Sequence, residues 1–170
     1  DLVDPASVTV LASNALVLAV RGEDADLLAS LGTASIRAGA TLPAALAGAR
    51  WCSGDPEHVP AGNYAREALR ALGWWETVEP ALVAVRDVRA AVRLVELGEV
   101  DLCVAYASDL HGRDLASVPF DGALHRPVLL VAAAAADAGD EAREFLAALS
   151  APEAPAFGAA MGFLPAAGAR

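Results

Sequence analysis

The chain contains no lysine: its 12 basic residues are all arginine, set against 22 acidic ones, for a formal net charge of −10. That balance argues against nucleic acid as a partner, because a phosphate backbone is held by clustered cations. It does not exclude a small anion, which backbone N–H groups and helix dipoles bind against an acidic background. Long apolar runs are also missing. The longest, residues 128–136, stops at Asp137 and is far short of the roughly 20 residues that cross a bilayer. The start, Asp1-Leu2-Val3-Asp4-Pro5, has neither the basic head nor the apolar core of a signal peptide, although a mature or truncated chain reads the same way. Cysteine is scarce. Cys52 and Cys103 sit in apolar strand-like runs and read as two buried small hydrophobes, or as a disulfide if the chain works outside the cytoplasm. Neither has the nearby ligands of a metal site. No G-x-S-x-G motif is present, so the nucleophile elbow of a hydrolase is absent.

What is there is a globular pattern. The composition is 56% hydrophobic, much of it alanine, which excludes disorder. A length of 170 residues suits one domain, or one and a fraction. Strand-like and helix-like segments alternate. Leu16-Val17-Leu18-Ala19-Val20 reads as a buried strand. A loose stretch over residues 22–49 follows, with a short helix at 26–31. Arg50-Trp51-Cys52-Ser53 is a second strand. Residues 61–72 form a helix with Ala61, Tyr64, Ala65, Ala68, Leu69 and Leu72 on one face; Pro60 suits its first turn and Gly73 its end. Residues 82–85 are a short strand. Asp87 caps a helix over 88–97 whose buried stripe is Val88, Ala91, Val92 and Val95, with Gly98 ending it. Leu102-Cys103-Val104-Ala105-Tyr106 is an almost unbroken apolar run, as in a strand covered on both faces. Residues 111–127 are polar and turn-rich and read as a crossing or loop segment. Residues 128–132 are a further strand, and 141–149 a helix with Ala142, Phe145, Leu146 and Leu149 on one side. This alternation predicts an α/β fold with a largely parallel sheet.

The chemistry concentrates in Gly54-Asp55-Pro56-Glu57-His58-Val59-Pro60-Ala61-Gly62, between the second strand and the first long helix. Such a loop delivers free N–H groups, not charge, to a pocket and points to an anion at a helix N-terminus. In open α/β sheets ligands collect at the carboxyl ends of strands. Ala61 in one first turn, Val88 in another, and Tyr106 at the end of the apolar strand are therefore expected at a common oxyanion site. A pocket of donors alone prefers a fully deprotonated anion, since a retained proton would lack an acceptor. His58 with Asp55 has no third ligand spaced for a metal, so the pair reads as loop-shaping. His111 and His125 read as solvated, and Trp74-Trp75 as an apolar plug under a loop.

The nine-residue loop, with Tyr64-Ala65 and Glu67-Ala68-Leu69 after it, closely resembles a signature of the molybdate-binding proteins of ABC transporters. Asp87-Val88-Arg89 and Val104-Ala105-Tyr106-Ala107-Ser108-Asp109 are similar to the family's next two motifs, in the same order. Leu2-Val3-Asp4-Pro5-Ala6-Ser7 and Asn14-Ala15-Leu16-Val17-Leu18 resemble its inter-lobe crossing, and Ala151-Pro152-Glu153-Ala154 with Gly162-Phe163 its C-terminal helix. The resemblance implies the α/β, type II periplasmic binding protein fold with a parallel-rich sheet flanked by helices. Residues 1–15 would be the inter-lobe segment, 16–125 the second lobe, and 126–170 the return strand and C-terminal helices of an incomplete first lobe. It implies that molybdate or tungstate is bound by the backbone N–H groups of Ala61 and Val88 and the hydroxyl of Tyr106. Gly54, Asp55, Pro56, Glu57, His58, Pro60 and Gly62 would form the supporting loop. No side chain would serve as a direct cation ligand, no cofactor is needed, and no catalysis is expected. The partner would be an ABC permease, and the location extracytoplasmic, periplasmic or on a cell-surface lipoprotein. Two further family ligand groups, both serines, belong upstream of Asp1, so the N-terminal part is expected to be missing. Pro155 departs from the pattern near the start of the last helix. An oxyanion-sensing domain of a cytoplasmic transcription regulator, or a sulfate-type transport protein, remains as an alternative.

Overall fold

The computed structural model describes residues 2–32, 34–151 and 158–166. Asp1, Pro155 and the Pro152-Glu153-Ala154 part of the tail motif lie outside these. In chain order the strands and helices are β1 (Thr9–Asn14), β2 (Leu16–Arg21), α1 (Ala44–Ala47), β3 (Trp51–Gly54), α2 (Pro60–Ala71), α3 (Trp75–Val78), β4 (Val83–Val85), α4 (Val88–Glu96), β5 (Leu102–Tyr106), β6 (Leu115–Pro119), β7 (Val128–Ala132) and α5 (Asp140–Leu149). They divide into two compact units, one made of Asp1–Asn14 and Pro127–Arg170, the other of Ala15–Arg126.

The larger unit is built on a five-stranded sheet of order β4-β3-β5-β2-β6. Side-chain alternation divides its two faces. Leu16, Leu18, Val20, Leu102 and Val104 pack on one side with Trp51, Leu46 and the α2 residues Ala65, Ala68 and Leu69. Ala19, Cys52, Cys103 and Ala105 face the other way, against Ala91, Val92 and Val95 of α4. Small residues on the second face let α4 approach closely, and the bulkier first face carries the main core. Full burial of Leu69 alone stabilises the unit by about 1.5–3 kcal/mol. Trp51 Nε1 donates to the Leu46 carbonyl at 2.7 Å, tying α1 to β3. Trp74 and Trp75 are both buried. Trp74 Nε1 donates to the Ala40 carbonyl at 2.9 Å, which ties Trp74 to the loop around that residue.

The sheet is mixed. β4, β3 and β5 run parallel, whereas β2 is antiparallel to both β5 and β6. Burial on both faces produces an unbroken apolar run whichever way a strand points, so the composition of β2 carries no information on its direction. The turn-rich stretch 111–127 also contains a strand, β6. Its Pro119 suits an edge, where a missing N–H is harmless. The short helix expected at 26–31 is a 3-10 segment over Gly22–Leu31.

In the smaller unit β1 pairs antiparallel with β7, with an irregularity between Val10 and Ala12. Strand β1 falls in the segment read from sequence as an inter-lobe connection. Helix α5 has its apolar residues on one side, as its period predicts, but none is buried, and Phe145 is 65% exposed. Arg143 Nη1 bonds Asp4 Oδ2 at 2.8 Å within the same unit. Among the described residues no helix is long and apolar enough to cross a membrane.

Candidate functional site

Parallel pairing of β4, β3 and β5 brings their carboxyl ends to one edge of the sheet. The loop after β3 leads into α2, the turn after β4 leads into α4, and β5 ends there at Tyr106. Ala61 in the first turn of α2, Val88 at the start of α4 and Tyr106 are thus brought to a common edge of the larger unit.

The loop of residues 54–62 is shaped mainly by Asp55. Its backbone N–H donates to the Val85 carbonyl at 2.8 Å, joining the loop to the end of β4, and its carbonyl accepts from His58 N at 3.2 Å and Val59 N at 2.8 Å. Its carboxylate accepts from Glu57 N at 2.8 Å and lies 3.2 Å from His58 Nδ1. The Glu57 N–H first, and His58 second, hold the Asp55 carboxyl below the ordinary carboxylate range. Asp55 and His58 are therefore engaged with each other and with the loop backbone. Glu57 forms an ion pair with Arg66.

Two glycines bring the loop onto the helix. A β-carbon on Gly54 would meet Val59 Cγ1 at 2.4 Å, and one on Gly62 would meet the Gly54 carbonyl oxygen at 2.1 Å. Pro60 occupies the first helical position, and no side chain caps α2. The first-turn N–H groups of Ala61 and Gly62 are of the kind that has no intrahelical acceptor. Helix α4 differs: Asp87 Oδ1 accepts from Ala90 N at 2.8 Å and satisfies one first-turn donor. Val88 stands two residues nearer the helix start, at the first helical position.

Tyr106 is half-buried. Burial first, and Tyr64 and Asp109 after it, push its phenol above the ordinary range, so the hydroxyl stays protonated and able to donate. Tyr106 N donates to Asp109 Oδ2 at 3.4 Å. Asp109 is pushed up by burial, against the opposing pull of that N–H, Arg89 and Arg113. A separate cavity of about 340 Å³ is bounded by Arg21, Gly22, Glu23, Glu96 and Asp114. It lies at the opposite end of β5, where Val20 faces Leu102, and its three carboxylates suit no anion.

The structure adds neighbours that sequence reasoning missed. His125 is not merely solvated: its ring packs edge-on to Tyr64 at 5.8 Å between centroids, and its Nδ1 is 2.7 Å from the Arg126 carbonyl. Tyr64 in turn meets Tyr106 at 6.4 Å. Tyr64 and Glu67 stood in the sequence signature, but nothing local pointed to contacts with residues so distant in the chain. Cys52 and Cys103 are free, buried, and direct register partners on β3 and β5.

Comparison with known proteins gives a consistent picture. The molybdate-binding protein ModA of Escherichia coli (strain K12) is 55% identical over 64 residues, covering 38% of this chain and 25% of that protein. ModA of Haemophilus influenzae is 41% identical over 80 residues, covering 45% and 31%. The matched segment is thus less than a third of either relative's length. Among solved structures, the Azotobacter vinelandii periplasmic molybdate-binding protein superposes with a TM-score of 0.71 at 19% identity, covering 96% of this chain and 70% of that one. A transporter substrate-binding domain from Clostridium difficile gives 0.77 at 21% identity, covering 98% and 70%. At such identities the likeness establishes fold, that of the type II periplasmic binding proteins. The family described as bacterial extracellular solute-binding protein matches residues 1–164, and to that family this chain belongs.

Proposed function

We propose that this protein is the non-catalytic, extracytoplasmic binding component of a molybdate importer, accepting tungstate as well and delivering its ligand to an ABC permease. The observation that carries the reading is the shared edge of the larger unit, where α2 and α4 begin and β5 ends at Tyr106. The oxyanion would be held by the backbone N–H groups of Ala61 and Val88 and by the Tyr106 hydroxyl. Each helix start contributes roughly half a positive charge, so a dianion is favoured without lysine. The loop of Gly54, Asp55, Pro56, Glu57, His58, Pro60 and Gly62 would hold the first turn of α2 in place. The two ModA relatives are named for molybdate binding and share sequence with part of this chain, which supports the choice of ligand.

Donors without acceptors discriminate by protonation. Molybdate, tungstate and sulfate are fully ionised at neutral pH, whereas phosphate keeps a proton. An unmet donor costs about 1–3 kcal/mol, so phosphate would be disfavoured on this ground, and a site sized for the larger molybdate would hold the smaller sulfate less well. Calorimetric titration of the complete protein with molybdate, tungstate, sulfate and phosphate tests the reading. Tight binding of the first two, weaker sulfate and no phosphate binding is expected; a preference for phosphate would overturn it. Tyr106→Phe should weaken molybdate binding by roughly 0.5–1.5 kcal/mol, one net hydrogen bond, and an unchanged affinity would remove Tyr106 from the site.

A further inference from the structure

Tyr64 lies one helical turn beyond Ala61, so the two residues share a face of α2. Its ring meets that of Tyr106 edge-on, with centroids 6.4 Å apart and planes at 68°. This edge-to-face arrangement is one of those that aromatic quadrupoles prefer. Tyr64 meets two further groups. The His125 ring packs against it at 69°, and the Arg126 guanidinium carbon stands 5.6 Å from its centroid. Arg126 is itself anchored one turn further along α2. Glu67 accepts from Arg126 Nε at 2.7 Å and from Arg126 N at 3.0 Å. Tyr64 is thus packed by groups that leave its ring little freedom, and it is in T-shaped contact with Tyr106.

We infer that Tyr64 is a positioning residue for the proposed oxyanion site, fixing the orientation of the Tyr106 ring and hence the direction in which its hydroxyl donates. The inference rests on the oxyanion reading given above. Tyr106 sits at the very end of β5, where backbone pairing with Leu16 ends its ladder, and an aromatic side chain at a strand end keeps two free torsions unless something packs on it. Without Tyr64 the phenol would spend part of its time aimed away from the ligand, and affinity would fall by the lost fraction. The ring does the positioning, so Tyr64→Phe should keep what Tyr64→Leu loses.

The test is a double-mutant cycle on the complete protein, read by molybdate titration calorimetry, together with ¹³C-tyrosine NMR of the ligand-free form. Tyr64→Leu is expected to weaken molybdate binding about 2- to 10-fold, the span of one aromatic pair, while Tyr64→Phe stays near wild type. In a Tyr106→Phe background the Tyr64→Leu loss should vanish, because no hydroxyl remains to aim. An equal loss in both backgrounds would make Tyr64 merely structural and overturn the inference. In the ligand-free protein Tyr64→Leu should shift the Tyr106 ring signals and speed its ring flips; unmoved signals overturn the inference as well. If wild-type protein ignores molybdate, the oxyanion reading falls on the calorimetry, and the NMR measurement still decides whether Tyr64 orders Tyr106.

Discussion

Substituting Gly62 by alanine sets two physical effects against each other, and the structure decides the sign. Gly62 is the third residue of α2, and a helix interior favours alanine over glycine by about 0.8–1.0 kcal/mol. On propensity alone Gly62→Ala stabilises. The new β-carbon, however, would lie 2.1 Å from the Gly54 carbonyl oxygen and 2.6 Å from both the carbonyl carbon and oxygen of Asp55. All three are backbone atoms, so no side chain can rotate away. Relief requires the loop to move off the helix by more than about an ångström, which strains the 2.8 Å bond from Asp55 N to Val85 O. Overpacking of this kind costs about 1–3 kcal/mol or more, and contact with rigid backbone belongs at the upper end. The net expectation is a destabilisation of about 2 kcal/mol, a fall of roughly 1 M in the urea midpoint for a protein of ordinary m-value. Gly48→Ala is the control. Gly48 has φ −93, and a β-carbon there would stand 3.9 Å from its nearest neighbour, the Ala44 carbonyl oxygen, so that change should stabilise by about 0.4–1 kcal/mol. A Gly62→Ala protein as stable as wild type, or more so, would refute the close-approach argument.

Other expectations follow from single contacts. Asp87→Ala removes the acceptor for Ala90 N and should cost about 0.5–2 kcal/mol in denaturant unfolding, with Asp87→Asn retaining most of the stability. Cys52 and Cys103 are fully buried, and burial pushes Cys52 up to about 11 and Cys103 further still. A thiol reagent at pH 8 should therefore label neither in the native protein and both in urea; prompt native labelling would contradict the packing. Glu96 is held below its ordinary value of 4.5, first by its bond to Arg113. A depressed carboxyl stabilises fully above its unfolded value and loses that contribution as pH falls through the folded value. The stability gap between wild type and Glu96→Gln should therefore be present at pH 7 and close as the pH drops below about 4; a gap that persists at pH 2 would sink this assignment.

Local signals were enough for much of the larger unit. The period of α2 and α4 and the apolar run of β5 are set by residues within a turn or two of one another, and their observed bounds differ from the expected ones by a residue or so at the ends. The Asx-type hydrogen bonds of Asp55 span only three residues, so the shaping of the loop by His58 and Asp55 was also readable. Strand β6 was not, because Leu115-Ala116-Ser117-Val118-Pro119 is short, ends in proline, and becomes a strand only by pairing with β2. The role of His125 was hidden for a related reason: its partner Tyr64 lies far away in sequence.

Sequence alone determined the helices α2, α4 and α5 and the covered strands β2, β3 and β5, that the loop of residues 54–62 carries no lysine or arginine, and which family the motifs resemble. These follow from neighbours along the chain, where hydrophobic period, capping and turn chemistry act. Tertiary structure alone decided that β2 runs against β5, that Cys52 and Cys103 are side by side, that no β-carbon fits at Gly62, and that Tyr64 meets Tyr106. Each of these depends on how strands are ordered and how closely two backbones approach, and residues that share no local window carry no sequence record of their distance.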